Sequence, residues 1–168
     1  MDNYYSDKVS VLRDIFGAHE VLIQETNISV DGAIYPVIDD VIVLLEPEFW
    51  TKEIRERLGN HEPESAPSER KDFSSDIQKT FGSEWQKYPD ILPDYKEMFS
   101  SYFDIIPKDM LSGARIYDLG CGTGRWSYFL REQAKELIMV DFSEAIFVAR
   151  RNLRDAGNTL YFLGDITC

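Results

Sequence analysis

Apolar and polar positions change texture partway along the chain. Up to residue 46 the apolar residues come in short runs cut by pairs of polar or acidic ones. Val9 to Phe16, with Val11, Leu12, Ile15 and Phe16 apolar, suits a short helix or strand. Val21-Leu-Ile23 and Ile28-Ser-Val30 read as strands. Asp31-Gly32 is a two-residue hairpin signal leading into Ala33–Ile38. Asp39-Asp40, a weaker turn, separates that run from Val41-Ile-Val-Leu-Leu45. Between Glu46 and Leu58 the spacing of Phe49, Trp50, Ile54 and Leu58 predicts a short helix. The polar stretch Gly59–Lys71, with Pro63 and Pro67, then reads as a linker.

Beyond residue 90 the pattern alternates between helical stripes and continuous apolar runs. Pro93-Asp94 starts a predicted amphipathic helix whose stripe (Tyr95, Met98, Phe99, Tyr102, Phe103, Ile106) is expected to pack in the core, with Pro107 ending it. Residues 114–118 form a strand, followed by the glycine-rich turn Gly120–Gly124. Arg125 to Leu137 predicts a helix with Trp126, Phe129, Leu130, Ala134 and Leu137 on one side. Leu137–Val140 is a second buried strand, ending at Asp141. Ser143 is an expected N-cap for a helix burying Ala145, Ile146, Ala149 and Leu153, with Gly157 as its C-terminal cap. Thr159–Leu163 is a third strand. A β-α-β-α-β order with short loops predicts an α/β fold, a Rossmann-like parallel sheet that is incomplete, behind a small N-terminal β-rich unit. The expected organisation is a β-rich unit over 1–46, a helix and linker over 47–80, and a ligand-binding part over 81–168.

Composition narrows the class. The longest aliphatic run, Val41–Leu45, is far short of the roughly 20 apolar residues of a membrane span. The N-terminus lacks a basic, then apolar, secretory signal, so a cytoplasmic protein is expected. Two cysteines, Cys121 and Cys168, exclude a disulfide framework and a cysteine zinc site. His19 and His61 have no partner at ligand spacing and read as surface or packing residues. The net charge of −12 lies wholly in residues 1–112, with 11 Lys/Arg against 23 Asp/Glu, while residues 113–168 carry seven of each. An acidic front half argues against direct docking on a nucleic-acid backbone. A solvated acidic surface accounts for it.

The chemistry gathers at the carboxyl ends of the predicted parallel strands, where open sheets bind ligands. Glycines at 120, 122 and 124 permit positive φ and let a ligand approach the main chain. Asp141 stands 21 residues after Gly120, a spacing that suits a carboxylate accepting from ribose hydroxyls. A dinucleotide turn needs a third small residue at 125 or 127, and Arg125 and Ser127 fill those positions. Asp118, two residues before the first glycine, would repel a pyrophosphate and favour a ligand bearing ammonium and sulfonium charges. Cys121, without a paired histidine, reads as a small turn residue.

Asp118-Leu-Gly-Cys-Gly-Thr-Gly124 resembles the first motif of class I S-adenosylmethionine-dependent methyltransferases. Val140-Asp-Phe-Ser-Glu-Ala145 is similar to their second-strand motif, and Leu163-Gly-Asp-Ile166 to the third. The resemblance implies S-adenosyl-L-methionine as cofactor, its methionine portion held by Asp118 and the turn Gly120, Cys121, Gly122, Thr123 and Gly124. It implies Asp141 at the ribose, Phe142 near the adenine, and Asp165 with Ile166 at the adenine amino group. The segment Phe81-Gly-Ser-Glu-Trp85 also resembles a stretch preceding the first strand in that family. Its rings are expected to pin the segment to the core, with a lid over the ligand as the other reading. Tyr35–Leu45 resembles the end of small zinc-ribbon-like domains that accompany methyltransferases, without their cysteines, which implies a metal-free scaffold and a place for a protein partner at residues 1–46.

The family's acceptor-orienting residues come from later strands, so Cys168 is expected to be a truncation point, the first strand keeping an open edge. The expected function is methyl transfer to an unidentified acceptor, a small molecule before a nucleic acid, with this part inactive alone. Two alternatives stand beside it, an NAD(P)-dependent oxidoreductase and a non-catalytic partner-binding scaffold.

Overall fold

A computed structural model of the protein describes residues 3–59 and 90–166. The linker past Gly59, His61, the aromatic stretch Phe81–Pro89 and Cys168 lie outside the described residues. The chain divides into two compact units, residues 1–68 and 69–168.

In the first unit Val9–Phe16 resolves as a helix, α1, with Leu12 buried. Gly17 ends it in the left-handed conformation (φ 61°), and its own N–H and that of Ala18 fold back onto the carbonyls of Asp14 and Arg13. Strands β1 (Val21–Ile23), β2 (Asn27–Val30), β3 (Ala33–Ile38) and β4 (Val41–Val43) follow as an antiparallel meander. Both tight turns carry two residues at positive φ, Asp31 (48°) with Gly32 (88°) and Asp39 (47°) with Asp40 (63°). That is the primed geometry which matches strand twist. Asp31 also accepts hydrogen bonds from the N–H groups of Glu20 and His19, which hold its carboxyl below the usual range. Phe16 stacks on Tyr35 with centroids 5.7 Å apart, fastening α1 to β3.

The helix predicted over 46–58 is broken. A single 3-10 turn, Pro47–Phe49, precedes α2 (Lys52–Arg57), and Trp50 and Thr51 separate them in an extended conformation. The Thr51 hydroxyl accepts the N–H of Ile54 at 3.3 Å, so it caps a new helix instead of continuing the old one. Ile54 is fully buried, whereas Phe49 stays 43% exposed.

The second unit contains α3 (Tyr95–Tyr102), α4 (Lys108–Leu111), β5 (Arg115–Leu119), β6 (Glu136–Asp141), α5 (Ala145–Asn152) and β7 (Thr159–Leu163). The strands are parallel with β6 in the middle, in register from Arg115↔Glu136 and from Leu137↔Thr159. Leu137, Ile138 and Met139 of β6, the whole of β7, and Ala145, Ile146 and Ala149 of α5 form the core. Continuous apolar runs are what parallel strands require.

Three expectations fail here. No α-helix follows the glycine turn. Residues 125–134 instead form irregular turns around a 3-10 helix, Ser127–Phe129, mixing i→i−3 and i→i−4 bonds. The run Trp126-Ser-Tyr-Phe129 has modest helix propensity, and Asn158 holds the carbonyls of Arg131 and Ala134, curling the segment short. The α3 stripe is not core. No residue of α3 is buried, and Tyr102 is 73% exposed. Its rings pack instead against other rings, Phe99 on Phe129 and Tyr102 stacked on Trp126. Finally, α5 ends at Asn152, well before Gly157, which is not at positive φ and caps nothing.

Candidate functional site

The carboxyl ends of β5, β6 and β7 converge on the glycine turn, which neighbouring elements hold in place. The Val140 carbonyl accepts the N–H groups of Gly120 (2.8 Å) and Cys121 (3.1 Å). One oxygen of Asp141 accepts the Gly122 N–H at 2.7 Å, and the other accepts the N–H and hydroxyl of Ser143 at 2.8 and 2.7 Å. From α5, the Asn152 amide donates to the Thr123 carbonyl at 3.0 Å. The turn therefore keeps its shape without a helix behind it. Ser143 in turn accepts the Ala145 N–H at 3.3 Å, the N-terminal contact expected of it, although Glu144 occupies the cap position itself.

Around this turn lies a cavity of about 340 Å³, within the range of small-molecule sites. Asp118, Gly120, Cys121, Gly122 and Thr123 line it from the first loop. Asp141 and Phe142 line it from the second, Asp165 and Ile166 from the third. These are nine of the ten residues singled out from the sequence. Gly124 is the exception. A Cβ there would meet Leu153 Cδ1 at 2.8 Å, Met139 Cε at 2.9 Å and Ala149 Cβ at 3.2 Å, so it faces the core behind the turn. By contrast, a Cβ on Gly120 would meet nothing within 4 Å. Both have positive φ, 79° at Gly120 and 73° at Gly124.

Four lining residues were missed, namely Arg125, Trp126, Ser143 and Gly164. Each adjoins a recognised motif residue or stands two from one, so the signal was adjacency alone. Arg125 and Trp126 belong to the segment whose pattern predicts a helix that does not form.

Electrostatics give the site a sign. Burial pushes the Asp118 carboxyl above the usual range, opposed by the Ser127 hydroxyl donating to it at 2.6 Å, and the charge of Asp141 raises it further. A cation placed beside the pair would relieve that strain, whereas an anion would add to it. Burial, and then the charges of Asp141 and Asp118, also drive the Cys121 thiol well above its ordinary value. Cys121 is therefore protonated and no nucleophile. Among the described residues no cluster of His, Cys, Asp and Glu could hold a metal ion, and no helix is long and apolar enough to cross a membrane.

Residues 116–168 match the family model described as "Methyltransferase domain". No curated protein sequence matches the chain. Among solved structures, the chain is similar to phosphoethanolamine N-methyltransferase 1 of Haemonchus contortus, determined with phosphoethanolamine and S-adenosylhomocysteine. The two are 22% identical, with a TM-score of 0.44 over 73% of this chain and 24% of that one. It is also similar to a methyltransferase from Geobacter sulfurreducens, 17% identical, with a TM-score of 0.36 over 69% of this chain and 56% of that one. The chain thus spans about a quarter of the first of these proteins and over half of the second.

Proposed function

We propose that residues 115–166 form the S-adenosylmethionine site of a class I methyltransferase, whose acceptor side is not identified. The observation that carries this is the cavity itself. A glycine turn open to a ligand at Gly120, and carboxylates at the ends of three adjacent parallel strands, meet in one place. The methyltransferase family match falls on the same residues. The ligand fits the donor set. Asp118 suits its ammonium, Asp141 its ribose hydroxyls, and Asp165 its adenine amino group, with Phe142 supplying apolar contact.

The cofactor, when bound, supplies an electrophilic methyl group on a sulfonium. The chain's own contribution is positional. Asp141 ties the turn to β6 while offering its one remaining lone pair, on the oxygen that holds Gly122, to a ribose hydroxyl. Protonated Cys121 adds no charge beside the sulfonium. A buried carboxylate, Asp141, and a half-buried one, Asp118, favour the cationic cofactor over its neutral-sulfur product. A dinucleotide cofactor is disfavoured because its pyrophosphate would meet Asp118, and because no α-helix N-terminus follows the turn to receive it.

Calorimetry on the full chain tests the reading. S-adenosylmethionine should bind, weakly in this chain alone, and NADH should not compete. Asp118→Asn should weaken S-adenosylmethionine by about tenfold or more, a loss of roughly 1.4 kcal/mol, and should weaken S-adenosylhomocysteine, which keeps the ammonium, as well. The ionised Asp118 attracts the cation, and its proton affinity is raised. Affinity should therefore fall as pH drops through that raised value, and the variant should lose this dependence. NADH displacing the ligand, or a pH profile unchanged in Asp118→Asn, would sink the assignment.

A further inference from the structure

The antiparallel meander of the first unit packs one face and keeps an exposed row on the other. Tyr35, on which Phe16 of α1 stacks, lies opposite Ile28 in the ladder, and Ile28 is fully buried. Val30, two residues on from Ile28, and Val21, paired with Val30, share that face and are buried too. The other face carries the register row Leu22↔Ser29↔Ile34 across β1, β2 and β3. Leu22 is 49% exposed there and Ile34 67%. A lone apolar residue at a surface needs no explanation, but these two stand in one row on either side of a serine. Neighbouring strands lie about 4.8 Å apart, so the two aliphatic side chains are rooted about 10 Å from each other. The short serine side chain between them leaves a shallow notch.

The charge around this row has one sign. From Asp14 to Thr51 the chain carries eight Asp or Glu and no Lys or Arg. Three of these acids flank the row, and all three are exposed. Glu20 and Asp31 adjoin at one end of the strands, where the Glu20 carbonyl accepts the Asp31 N–H at 3.0 Å. Glu25 stands at the other end, in the turn between β1 and β2.

We propose that this outer face of β1–β3 docks a basic segment of another protein, which seats an apolar side chain between Leu22 and Ile34 and sets Lys or Arg against Glu20, Glu25 and Asp31. Charge selects among the occupants. A second copy would bring the same acidic rim against itself, and an anionic membrane or nucleic acid would be repelled. Residues 60–89 of this chain carry six acidic against four basic residues, so they offer no complement either. A basic polypeptide gains from both features. The apolar row supplies area to bury, and the acidic rim speeds and orients the encounter. The proposal stands independently of the adenosyl reading.

A random peptide library selected against the full chain tests it. The recovered peptides should carry net positive charge and at least one aliphatic or aromatic residue. Their affinity should fall by about tenfold or more when Leu22→Ser and Ile34→Ser are combined, and should weaken as salt is added. Both positions are exposed, so the double variant should keep its urea midpoint. In the unsubstituted chain, which needs no variant to fold, a bound peptide should slow amide hydrogen exchange across β1–β3. The proposal is overturned by a selection that yields no binder, by peptides without net positive charge, by binding that the double variant keeps, or by exchange slowed only outside β1–β3. Self-association abolished by the double variant would give the face to a second copy. Phosphatidylserine vesicles bound through Leu22 and Ile34 would give it to a membrane. Either result also overturns it.

Discussion

Glycines 120 and 124 share a motif and a backbone conformation yet serve different ends. Gly124 faces inward, where a methyl group would collide with Leu153, Met139 and Ala149. Gly120 faces the cavity with open space before it. Gly124→Ala should therefore combine the cost of a left-handed alanine with that of overpacking, about 2–4 kcal/mol of stability. Gly120→Ala should cost the backbone conformation alone, about 1–2 kcal/mol, but place its methyl where the ligand goes. Urea unfolding and S-adenosylhomocysteine binding should separate them, stability falling further in Gly124→Ala and ligand affinity further in Gly120→Ala. Equal effects on both measurements would refute the division. The motif pattern located both glycines, since alternate small residues after a strand signal a turn. It did not reveal which faced the ligand, because that depends on how close Ala149 and Leu153 of a later helix come. The same holds for Arg125. Its identity was plain in the sequence, whereas its place beside the cavity follows from a segment that curls instead of forming a helix.

At the scale of elements, the strands were legible and the helices less so. Every predicted strand exists, because short β-branched runs bounded by Asp-Gly, Asp-Asp or a glycine turn leave few alternatives. Helices were misjudged where one side chain or a run of rings intervened. Thr51 capped a new helix, and Trp126–Phe129 gave a 3-10 turn. The exposed α3 stripe shows that apolar periodicity marks a face without saying what covers it. The second hairpin carries a local cost that its sequence foretold. Asp40 adopts φ 63° at the second central position of a turn that favours glycine there. Tyr5 donates to the Asp40 carbonyl, a backbone contact that glycine retains. Asp40→Gly should thus stabilise the first unit by about 0.5–1 kcal/mol, the relief of a left-handed side chain exceeding the added chain entropy. A urea midpoint that stays level or falls would show that the aspartate side chain contributes more than its conformation costs.

For the molecule as a whole, the exposed edge of the parallel sheet matters most. Among the described strands β5 pairs only with β6, and along one face it presents Tyr117 and Leu119, 51% and 56% exposed. Residues two apart on a strand share a face, so these two side chains form one apolar strip on a strand that, among the described strands, is paired along one side only. Asp118, on the opposite face, lines the cavity. Such an edge is a template for another strand unless charge or cover protects it. The chain's negative charge does little to protect it, since the excess lies in residues 1–112 and the segment carrying β5 is balanced. The isolated chain should therefore associate as its concentration rises, and added salt should leave that association intact because apolar contact and backbone pairing drive it. Leu119→Lys would set a charge on the strip without entering the cavity. In sedimentation the substituted chain should remain a single species over concentrations at which the native chain gains mass, with S-adenosylhomocysteine affinity unchanged in both. A native chain whose mass does not vary with concentration would show that the strip is harmless as it stands. Association that Leu119→Lys leaves untouched would place the contact elsewhere on the molecule.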